Sequence, residues 1–389
     1  MKILYIRTEG SVTDFYHALQ ELHIHTITLF DQYCFDPNHM NEQGYQELSK
    51  HINSNYYDAI ISLLYFPKIA ELCHSKGMYY ISWVYDSPQV GLFDSSIFYD
   101  TNHIFIFDSY ECQKLKEFGA KNVYYLPLAA NINRIQSISI SDYDVRNFSA
   151  DISFVGSLYE NNAYNRFYPY IPDTHIQEWK SYLNASSCNW GKIREWPKIS
   201  TESTNFLCSN LPPENINHFQ MNLPEFFGVS LLSQKLAEIE RVTVLHTCAS
   251  ITQTVLYSGS ACPEIPNLIR KGRVDYYTEM SKIFHLSRIN LNVTLPSIVC
   301  GAPQRVFDIM ACGGFVLTNY QTDLEELFQI GKDIETFASL EELTDKILFY
   351  LSHEHLRVKI ALTGFSTVTN EYSFSKQIQK MLKIFQENR

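Results

Sequence analysis

Residues 287–328 read SRINLNVTLPSIVCGAPQRVFDIMACGGFVLTNYQTDLEELF and alternate between strand-like and helix-like patterns. Ile289 to Val293 is apolar and β-branched, which predicts a buried strand. The loop that follows leads to Pro303, which suits the first position of a helix because its missing N–H needs no partner there. Gly313-Gly314 ends this helix, and Phe315 to Thr318 predicts the next strand.

A second helix follows that strand, with Thr322 and Glu325 spaced as a capping box. The unit is therefore strand–helix–strand–helix, which predicts a parallel sheet. The carboxyl ends of parallel strands line a crevice where ligands bind. We expect the functional residues of this region at that edge.

Composition limits the class of protein. The chain has 389 residues, 45% of them hydrophobic and 19% charged, which is enough for two ordinary globular domains. The formal net charge of -11 argues against nucleic-acid binding and against broad binding to anionic membranes. It leaves room for a local positive site.

Cysteine usage and the start of the chain bear on the compartment. The nine cysteines are odd in number and form no close C-x-x-C pair, which indicates free thiols in a reducing environment. The first residues, MKILYIRTEG, predict a strand and not a signal peptide. No run approaches 18 apolar residues, so we expect no transmembrane segment and a cytoplasmic protein.

Strands and helices alternate through the first third of the chain, which predicts a doubly wound parallel domain over 1–135. Residues 136–150 are polar and are assigned to a linker. A second domain over 151–368 opens with the strand DISFVG and contains an insertion at about 158–230. The insertion either shapes an acceptor groove or covers the sheet, and the sequence leaves both open.

Two groups of residues carry a resemblance to a known family. The run RVFDIMACGGFVLTNY (305–320), followed by DLEELF (323–328), resembles the glycosyltransferase module of the CgeB-like spore-maturation family. It is more distantly similar to the F-E-A-M-A-C-G-x-P-V signature of retaining nucleotide-sugar glycosyltransferases of the GT-B fold. The segments ISWVYDSP (81–88) and IFIFDSYECQKLKEFGAKNVYYLPLAAN (104–131) resemble the amino-terminal region of the same CgeB-like family.

The resemblance implies an α/β protein with two Rossmann-like domains that face each other across a cleft. It also implies that the terminal helix, within 369–389, crosses back to the first domain. Asp308 occupies the position of an acid that holds the ribose hydroxyls of the nucleotide in these relatives. Their other acid lies eight positions earlier, where this chain has Cys300. The pattern is thus C-x7-D, and retention or inversion of the sugar stays open.

Transfer of a sugar releases a nucleoside diphosphate, whose charge must be stabilised. The loop 300–304 opens a helix and contains Gly301 and Ala302, so it offers free N–H groups to a diphosphate. Arg305 supplies a positive charge to the donor or forms a structural ion pair. A helix N-terminus, N–H groups and a cation together could serve without a metal.

Further donor contacts are predicted at strand ends. Gly156 and Ser157 follow the first strand of the second domain, and Gly10 takes the same place in the first, where glycine permits close approach. The resemblance assigns Arg273 and Val274 to the nucleotide base, although a plain turn explains them too. Glu326 either touches the nucleotide or stabilises a helix dipole.

Asp86 stands at the carboxyl end of a predicted strand, within a W-x-x-D-x-P pattern that is prominent in the CgeB-like family. In an inverting enzyme it would be the general base that deprotonates the acceptor hydroxyl. In a retaining enzyme it would bind substrate hydroxyls. The structural alternative is an Asx-turn ahead of Pro88.

Other cofactor sites are missing from the sequence. It has no Walker loop and no GxGxxG, which argues against NAD or FAD, and no spaced set of zinc ligands. We therefore expect a glycosyltransferase that needs no cofactor or metal. Its donor is a nucleotide-sugar, UDP-linked by family default, and its acceptor a glycan, protein or small molecule. The alternatives are a nucleotide-sugar epimerase of the same fold and a non-catalytic nucleotide-sugar-binding protein.

Overall fold

The computed structural model describes residues 1–7, 13–22, 27–31, 35–36, 39–40, 42–210 and 221–389. Contacts within the chain divide it into two compact units. Unit 1 contains Met1–Leu128 and Ser373–Arg389, and unit 2 contains 129–210 and Asn222–Tyr372. Each unit has one parallel six-stranded sheet.

The sheet of unit 1 has the strand order β2-β1-β5-β6-β7-β8, and all its pairings are parallel. A separate short antiparallel pair is formed by β3 and β4. The strands of this unit are β1 Ile3–Arg7, β2 Ile27–Asp31, β3 Phe35–Asp36, β4 His39–Met40, β5 Ala59–Leu63, β6 Tyr79–Val84, β7 Asn102–Ile106 and β8 Val123–Tyr125. The first helices are α1 Thr13–Glu21, α2 Glu42–Ser54, α3 Pro67–Ser75 and α4 Ser109–Phe118.

Burial explains why the central strands of unit 1 read as continuous apolar runs. Every residue of β5 and of β7 is buried, as expected for parallel strands covered on both faces. The chain runs from β1 to β2 on one side and then returns to β5 on the other. The strand order therefore reverses between β1 and β5.

The sheet of unit 2 has the order β11-β10-β9-β12-β13-β14, also parallel throughout. Its strands are β9 Ala150–Val155, β10 Thr254–Tyr257, β11 Leu268–Lys271, β12 Ser287–Asn292, β13 Val316–Asn319 and β14 Glu335–Phe337. Its helices are α5 Ile132–Gln136, α6 Asp142–Phe148, α7 Ala163–Phe167, α8 Asp173–Ser186, α9 Thr201–Asn210, α10 Leu223–Gly228, α11 Gln234–Ile251, α12 Met280–Leu286, α13 Gln304–Ala311, α14 Thr322–Leu327, α15 Leu340–Ser352 and α16 Glu354–Glu371. Strand order reverses between β9 and β12, so the topological switch point lies there.

The last helix, α17 (Phe374–Glu387), belongs to unit 1. Ser373 caps it by accepting a hydrogen bond from the Lys376 N–H. The Phe374 ring lies 6.0 Å from Trp83, and Phe385 lies 4.9 Å from His103, centroid to centroid. Aromatic packing of this kind holds the end of the chain on the first sheet.

Several predictions about local structure need correction. Thr322 is the first residue of α14 and not its cap: the N-cap is Gln321, and no side chain caps this end. Residues 136–150, assigned to a linker, contain α6 and the beginning of β9. The prediction also missed β11 and β14, which are too short for a clear periodic signal.

In the part of the chain that the structure describes, no helix is both long enough and apolar enough to cross a bilayer.

Candidate functional site

The candidate site of unit 2 lies at the carboxyl edge of its sheet, at the switch point between β9 and β12. Open α/β sheets bind ligands outside this edge. Gly156 and Ser157 follow β9 there, and Ser157 is exposed. A Cβ added to Gly156 would meet the Phe154 ring at 3.4 Å, which is ordinary contact. The protein itself therefore does not demand glycine here, whereas a close ligand would.

Arg241, which the sequence analysis did not identify, joins the two strands at the switch point. Its Nε and Nη2 donate to the carbonyl oxygen of Val293, after β12, at 3.1 and 2.6 Å. Its Nη1 donates to the carbonyl oxygen of Ser157, after β9, at 2.6 Å. The guanidinium also lies 4.8 Å from the centre of the Tyr159 ring. A single buried cation thus fixes both strand ends.

The loop before α13 brings a second arginine to this region. Gly301 and Ala302 are buried, and Pro303 is the N-cap of α13, one position before the helix. Arg305 is half-buried in the first turn, where its guanidinium lies 5.4 Å from the centre of the Phe284 ring and contacts the Met280 sulfur. The side chain is therefore held in place by packing.

The two arginines act on each other electrostatically. Burial lowers the pKa of Arg241, and the charge of Arg305 adds to that effect. Within the described residues, neither arginine forms an ion pair with a carboxylate. Cations that lie near one another without a carboxylate partner create a local site for an anion. This holds even in a chain whose net charge is -11.

Asp308 is the fifth of the eight residues of α13, and only 3% of its surface is exposed. Its Oδ1 accepts hydrogen bonds from Gln304 Nε2 at 3.0 Å and from the Tyr276 hydroxyl at 3.2 Å. Burial raises the pKa of Asp308, against the lowering effects of Arg305, Gln304, Arg134 and Tyr276. It is neither exposed nor ion-paired with Arg305. Because Asp308 is buried and hydrogen-bonded, its removal is expected to affect the stability of the fold as well as any contact with a ligand.

The remaining donor candidates of unit 2 are spread along the same edge. Gly272, Arg273 and Val274 follow β11. The Arg273 side chain packs so close to Gly259 that a Cβ there would come within 2.4 Å of the Arg273 Nε. Glu326 is exposed on α14, where no described residue bonds its carboxylate.

The carboxyl edge of unit 1 carries acids. Asp86, in the loop after β6, has an exposed side chain, yet the protein around it desolvates the carboxylate and raises its pKa. The next residue, Ser87, donates its hydroxyl to Asp108 Oδ2 at 2.9 Å, and the Gln89 N–H donates to Glu111 Oε1 at 3.1 Å. The segment that follows Asp86 is therefore held by two acids at the start of α4.

Glu111 is fully buried, and its second oxygen has no partner among the described residues. Burial raises the pKa of Glu111 well above its ordinary value, and the negative charges of Asp108 and Asp86 add to the effect. Both effects favour the protonated form of Glu111. Gly10, the other candidate of this unit, lies outside the described residues.

In the ranges that the structure describes, no group of three or more His, Cys, Asp or Glu side chains is placed to hold a metal ion. Independence from metal stays a prediction.

Three side chains around Asp308 were missed at the sequence level: Arg134, Tyr276 and Gln304. Nothing in a single sequence shows that α5, the segment after β11 and α13 meet. The sequence does contain a weak indication of Arg241, because Glu240 and Arg241 occupy positions in the otherwise apolar buried stripe of α11. Buried charges at core spacing point to a functional or structural role.

Part of the chain matches a known protein family. Residues 234–383 match a protein-family model described as "Glycosyl transferase-like". That segment is less than half of the chain, and it contains Arg241, Arg305 and Asp308. No curated protein sequence matches.

Solved structures resemble the whole chain. HepE from Anabaena, in complex with UDP and glucose, has a TM-score of 0.55 at 9% identity, over 100% of both chains. Sucrose-phosphate synthase from Thermosynechococcus elongatus has a TM-score of 0.57 at 9% identity, over 100% of this chain and 98% of its own. A glycosyltransferase from Rickettsia africae has a TM-score of 0.54 at 12% identity, with the same coverage. At these identities the likeness shows the fold alone, which is the two-domain Rossmann-like fold called GT-B.

Proposed function

We propose that this chain is a glycosyltransferase that moves a sugar from a nucleoside diphosphate to an acceptor. One observation carries the proposal: Arg241 and Arg305 lie at the switch point of unit 2 without carboxylate partners, while Asp308 stands on the helix that starts there. A diphosphate leaving group requires positive charge, and a ribose requires a hydrogen-bond acceptor. The site supplies both.

The comparisons support this proposal in two ways. The glycosyl-transferase-like segment, 234–383, contains all three of these residues. HepE, which shares the fold, was solved with UDP and glucose, so a UDP-linked hexose is the first donor to test. Arg273 and Val274, after β11, are the residues proposed to contact the base. Gly156, Ser157, Gly301 and Ala302 are proposed to approach the diphosphate through their backbone.

The proposed reaction uses no metal. The two arginines, together with the N–H groups at the start of α13, would stabilise the charge that develops on the leaving diphosphate. Activity should therefore persist after exhaustive treatment with EDTA. Loss of activity that added Mg²⁺ or Mn²⁺ restores would contradict this part of the proposal.

Asp86 of unit 1 is the proposed general base for an inverting transfer. The residue is exposed, so an acceptor hydroxyl can reach its side chain, and the pKa raised by partial desolvation makes the carboxylate a better base at working pH. The reaction would then deprotonate the acceptor hydroxyl as the bond between the sugar and the diphosphate breaks. Analysis of the anomeric configuration of the product tests inversion.

Cys300 favours a second candidate function, a protein that binds nucleotide-sugar without turning it over. It stands where related enzymes have an acid, and only 7% of its surface is exposed. An epimerase is the third candidate, because it would change the donor without any acceptor. Product analysis separates the three: no product, a new nucleotide-sugar from donor alone, or UDP release that depends on acceptors from cell extract.

The first experiment measures binding of UDP, GDP, ADP and dTDP by calorimetry. Asp308→Ala should weaken binding of the preferred nucleotide about tenfold to a hundredfold, because it removes charge-assisted hydrogen bonds to the ribose. Most of that loss should appear in KM, since the contact is similar in ground and transition states. Asp308→Asn should recover part of it, because the amide oxygen still accepts.

Asp345→Asn, at an exposed position on α15, is the matched control and should bind like the wild type. Since Asp308 is buried, thermal unfolding of each variant must accompany the titration. Failure of all four nucleotides to bind the wild type would overturn the proposed function. Unchanged affinity in a folded Asp308→Ala protein would overturn the role of this residue.

A further inference from the structure

One oxygen of the Asp308 carboxylate is already occupied. Oδ1 accepts from Gln304 Nε2 and from the Tyr276 hydroxyl, at 3.0 and 3.2 Å. A carboxylate oxygen has two lone pairs, so two donors use its capacity. No described residue donates to Oδ2, which is therefore the oxygen left for a ligand.

Gln304 is itself anchored. Its Nε2 also donates to the carbonyl oxygen of Ala129 at 2.7 Å, and it lies one turn before Asp308 on α13. One amide nitrogen thus ties the Asp308 carboxylate to the segment that precedes α5. This bond fixes which way the carboxylate turns.

Tyr276 is held from the other side. The Arg134 guanidinium lies 4.9 Å from the centre of the Tyr276 ring and 5.2 Å from that of Tyr277. The two tyrosine rings pack edge to face, with centroids 5.1 Å apart. A cation over two aromatic rings restrains both, so the Tyr276 hydroxyl is aimed at Oδ1 before any ligand arrives.

We propose that Tyr276 and Gln304 are positioning residues that reserve Oδ1, so that Asp308 recognises the donor through Oδ2 and one ribose hydroxyl. The inference rests on the proposed function and sharpens it. A carboxylate with two free oxygens can align one with each of two vicinal hydroxyls. Oδ2 alone also has two lone pairs, but they diverge in the plane of the carboxylate, whereas two vicinal hydroxyls approach it from nearly the same direction. Only one of the two hydroxyls therefore aligns with a lone pair at full strength.

The experiment compares UDP, 2′-deoxy-UDP and 3′-deoxy-UDP in calorimetric titrations of the full chain. One deoxy analogue should bind with an affinity within about threefold of that of UDP. The other should bind at least about tenfold more weakly than UDP, because it lacks the hydroxyl that donates a hydrogen bond to Oδ2. Comparable losses for the two analogues would overturn the inference. If UDP fails to bind, the same three-way comparison is made with GDP or ADP analogues.

Tyr276→Phe is the decisive variant. It deletes one of the two hydrogen bonds to Oδ1 and keeps the ring under Arg134, so Oδ1 regains a lone pair that can accept from the second ribose hydroxyl. The ratio of affinities for the two deoxy analogues should shrink at least threefold. Tyr277→Phe is the matched control, because it alters the same aromatic pair but no hydrogen bond to Asp308, and it should keep the wild-type ratio.

Gln304→Met tests the other donor by the same ratio, since it keeps the length of the side chain and removes the amide. A merely structural role for these residues would lower affinity for all three nucleotides together and leave the ratio unchanged, which would overturn the inference. Failure of every nucleoside diphosphate to bind the wild type overturns the proposed function, and the inference with it. If UDP binds but the two deoxy analogues lose affinity equally, the inference is overturned and the proposed function is not.

Discussion

The carboxyl edges of the two sheets are built alike and charged oppositely. In unit 2, Arg241 and Arg305 lie near the switch point, and no described carboxylate forms an ion pair with either. In unit 1, the corresponding edge carries Asp86, Asp108 and Glu111, and the charges that most affect Glu111 are negative. The same parallel topology therefore carries opposite charge: one edge has two cations that suit an anion, and the other has a cluster of acids that contains the proposed general base.

The comparison also shows how each edge is stabilised. Arg241 spreads its charge over two carbonyl oxygens at strand ends, which leaves it a cation. Glu111 accepts one backbone N–H and lies near Asp108 and Asp86, so burial and these negative charges favour its protonated form. A buried charge persists where hydrogen-bond partners replace water, and it is neutralised where they do not.

The largest expected effect belongs to Asp86. Asp86→Asn should lower turnover of UDP-sugar, measured with cell extract as the source of acceptors, about 10²- to 10⁴-fold, the usual contribution of a general base. UDP affinity should not change, because the nucleotide is assigned to unit 2. Asp100→Asn, also exposed and also in unit 1, is the control. Full turnover in the Asp86 variant would remove the catalytic contrast between the two edges.

Arg305 should show the next effect. Arg305→Leu should weaken UDP binding about tenfold to a hundredfold through loss of a charge-assisted contact to phosphate. Wild-type affinity should fall as salt rises, and the variant should show a shallower dependence. Lys359→Leu removes one charge from an exposed position on α16 and serves as the control. Equal losses in the two variants would mean that net charge, and not this edge, attracts the nucleotide.

Glu111 should show a smaller effect that depends on pH. Its pKa is raised in the folded chain, so its contribution to stability is complete below the ordinary glutamate pKa and declines as pH rises toward the folded pKa. The glutamine side chain of Glu111→Gln cannot ionise, so this variant does not lose that stability as the pH rises. The free energy of unfolding of the variant should therefore rise relative to that of the wild type by about 1.4 kcal/mol per pH unit across this range.

Urea unfolding at pH 5, 6, 7 and 8 measures that gain. Glu117→Gln, on the exposed side of the same helix, is the control and should follow the wild type. A difference between Glu111→Gln and the wild type that does not vary with pH would show that Glu111 is ionised in the folded protein. The acidic edge would then need an unseen cation.

The parallel α/β architecture was predictable from local pattern. Apolar β-branched runs such as Ile289 to Val293, followed by helix signals and glycine stops, identify strand–helix repeats. This signal is strong where strands are buried on both faces. It fails for β11 and β14, which have four and three residues, and at the start of α14, where Gln321 takes the position expected for Thr322.

At the carboxyl edge of each sheet, the sequence by itself determined which residues follow strand ends, because position along the chain is enough for that. Asp86, Gly156 and Ser157 were found in this way, whereas Asp308 was identified by resemblance to a family motif. Tertiary structure alone decided what surrounds them: Arg241 at the switch point, Tyr276 and Gln304 on one oxygen of Asp308, and Glu111 behind Asp86. These contacts join residues 22 to 84 positions apart, or one helical turn apart on a face whose orientation packing selects. Charge, burial and pKa depend on such neighbours, and no local pattern encodes them.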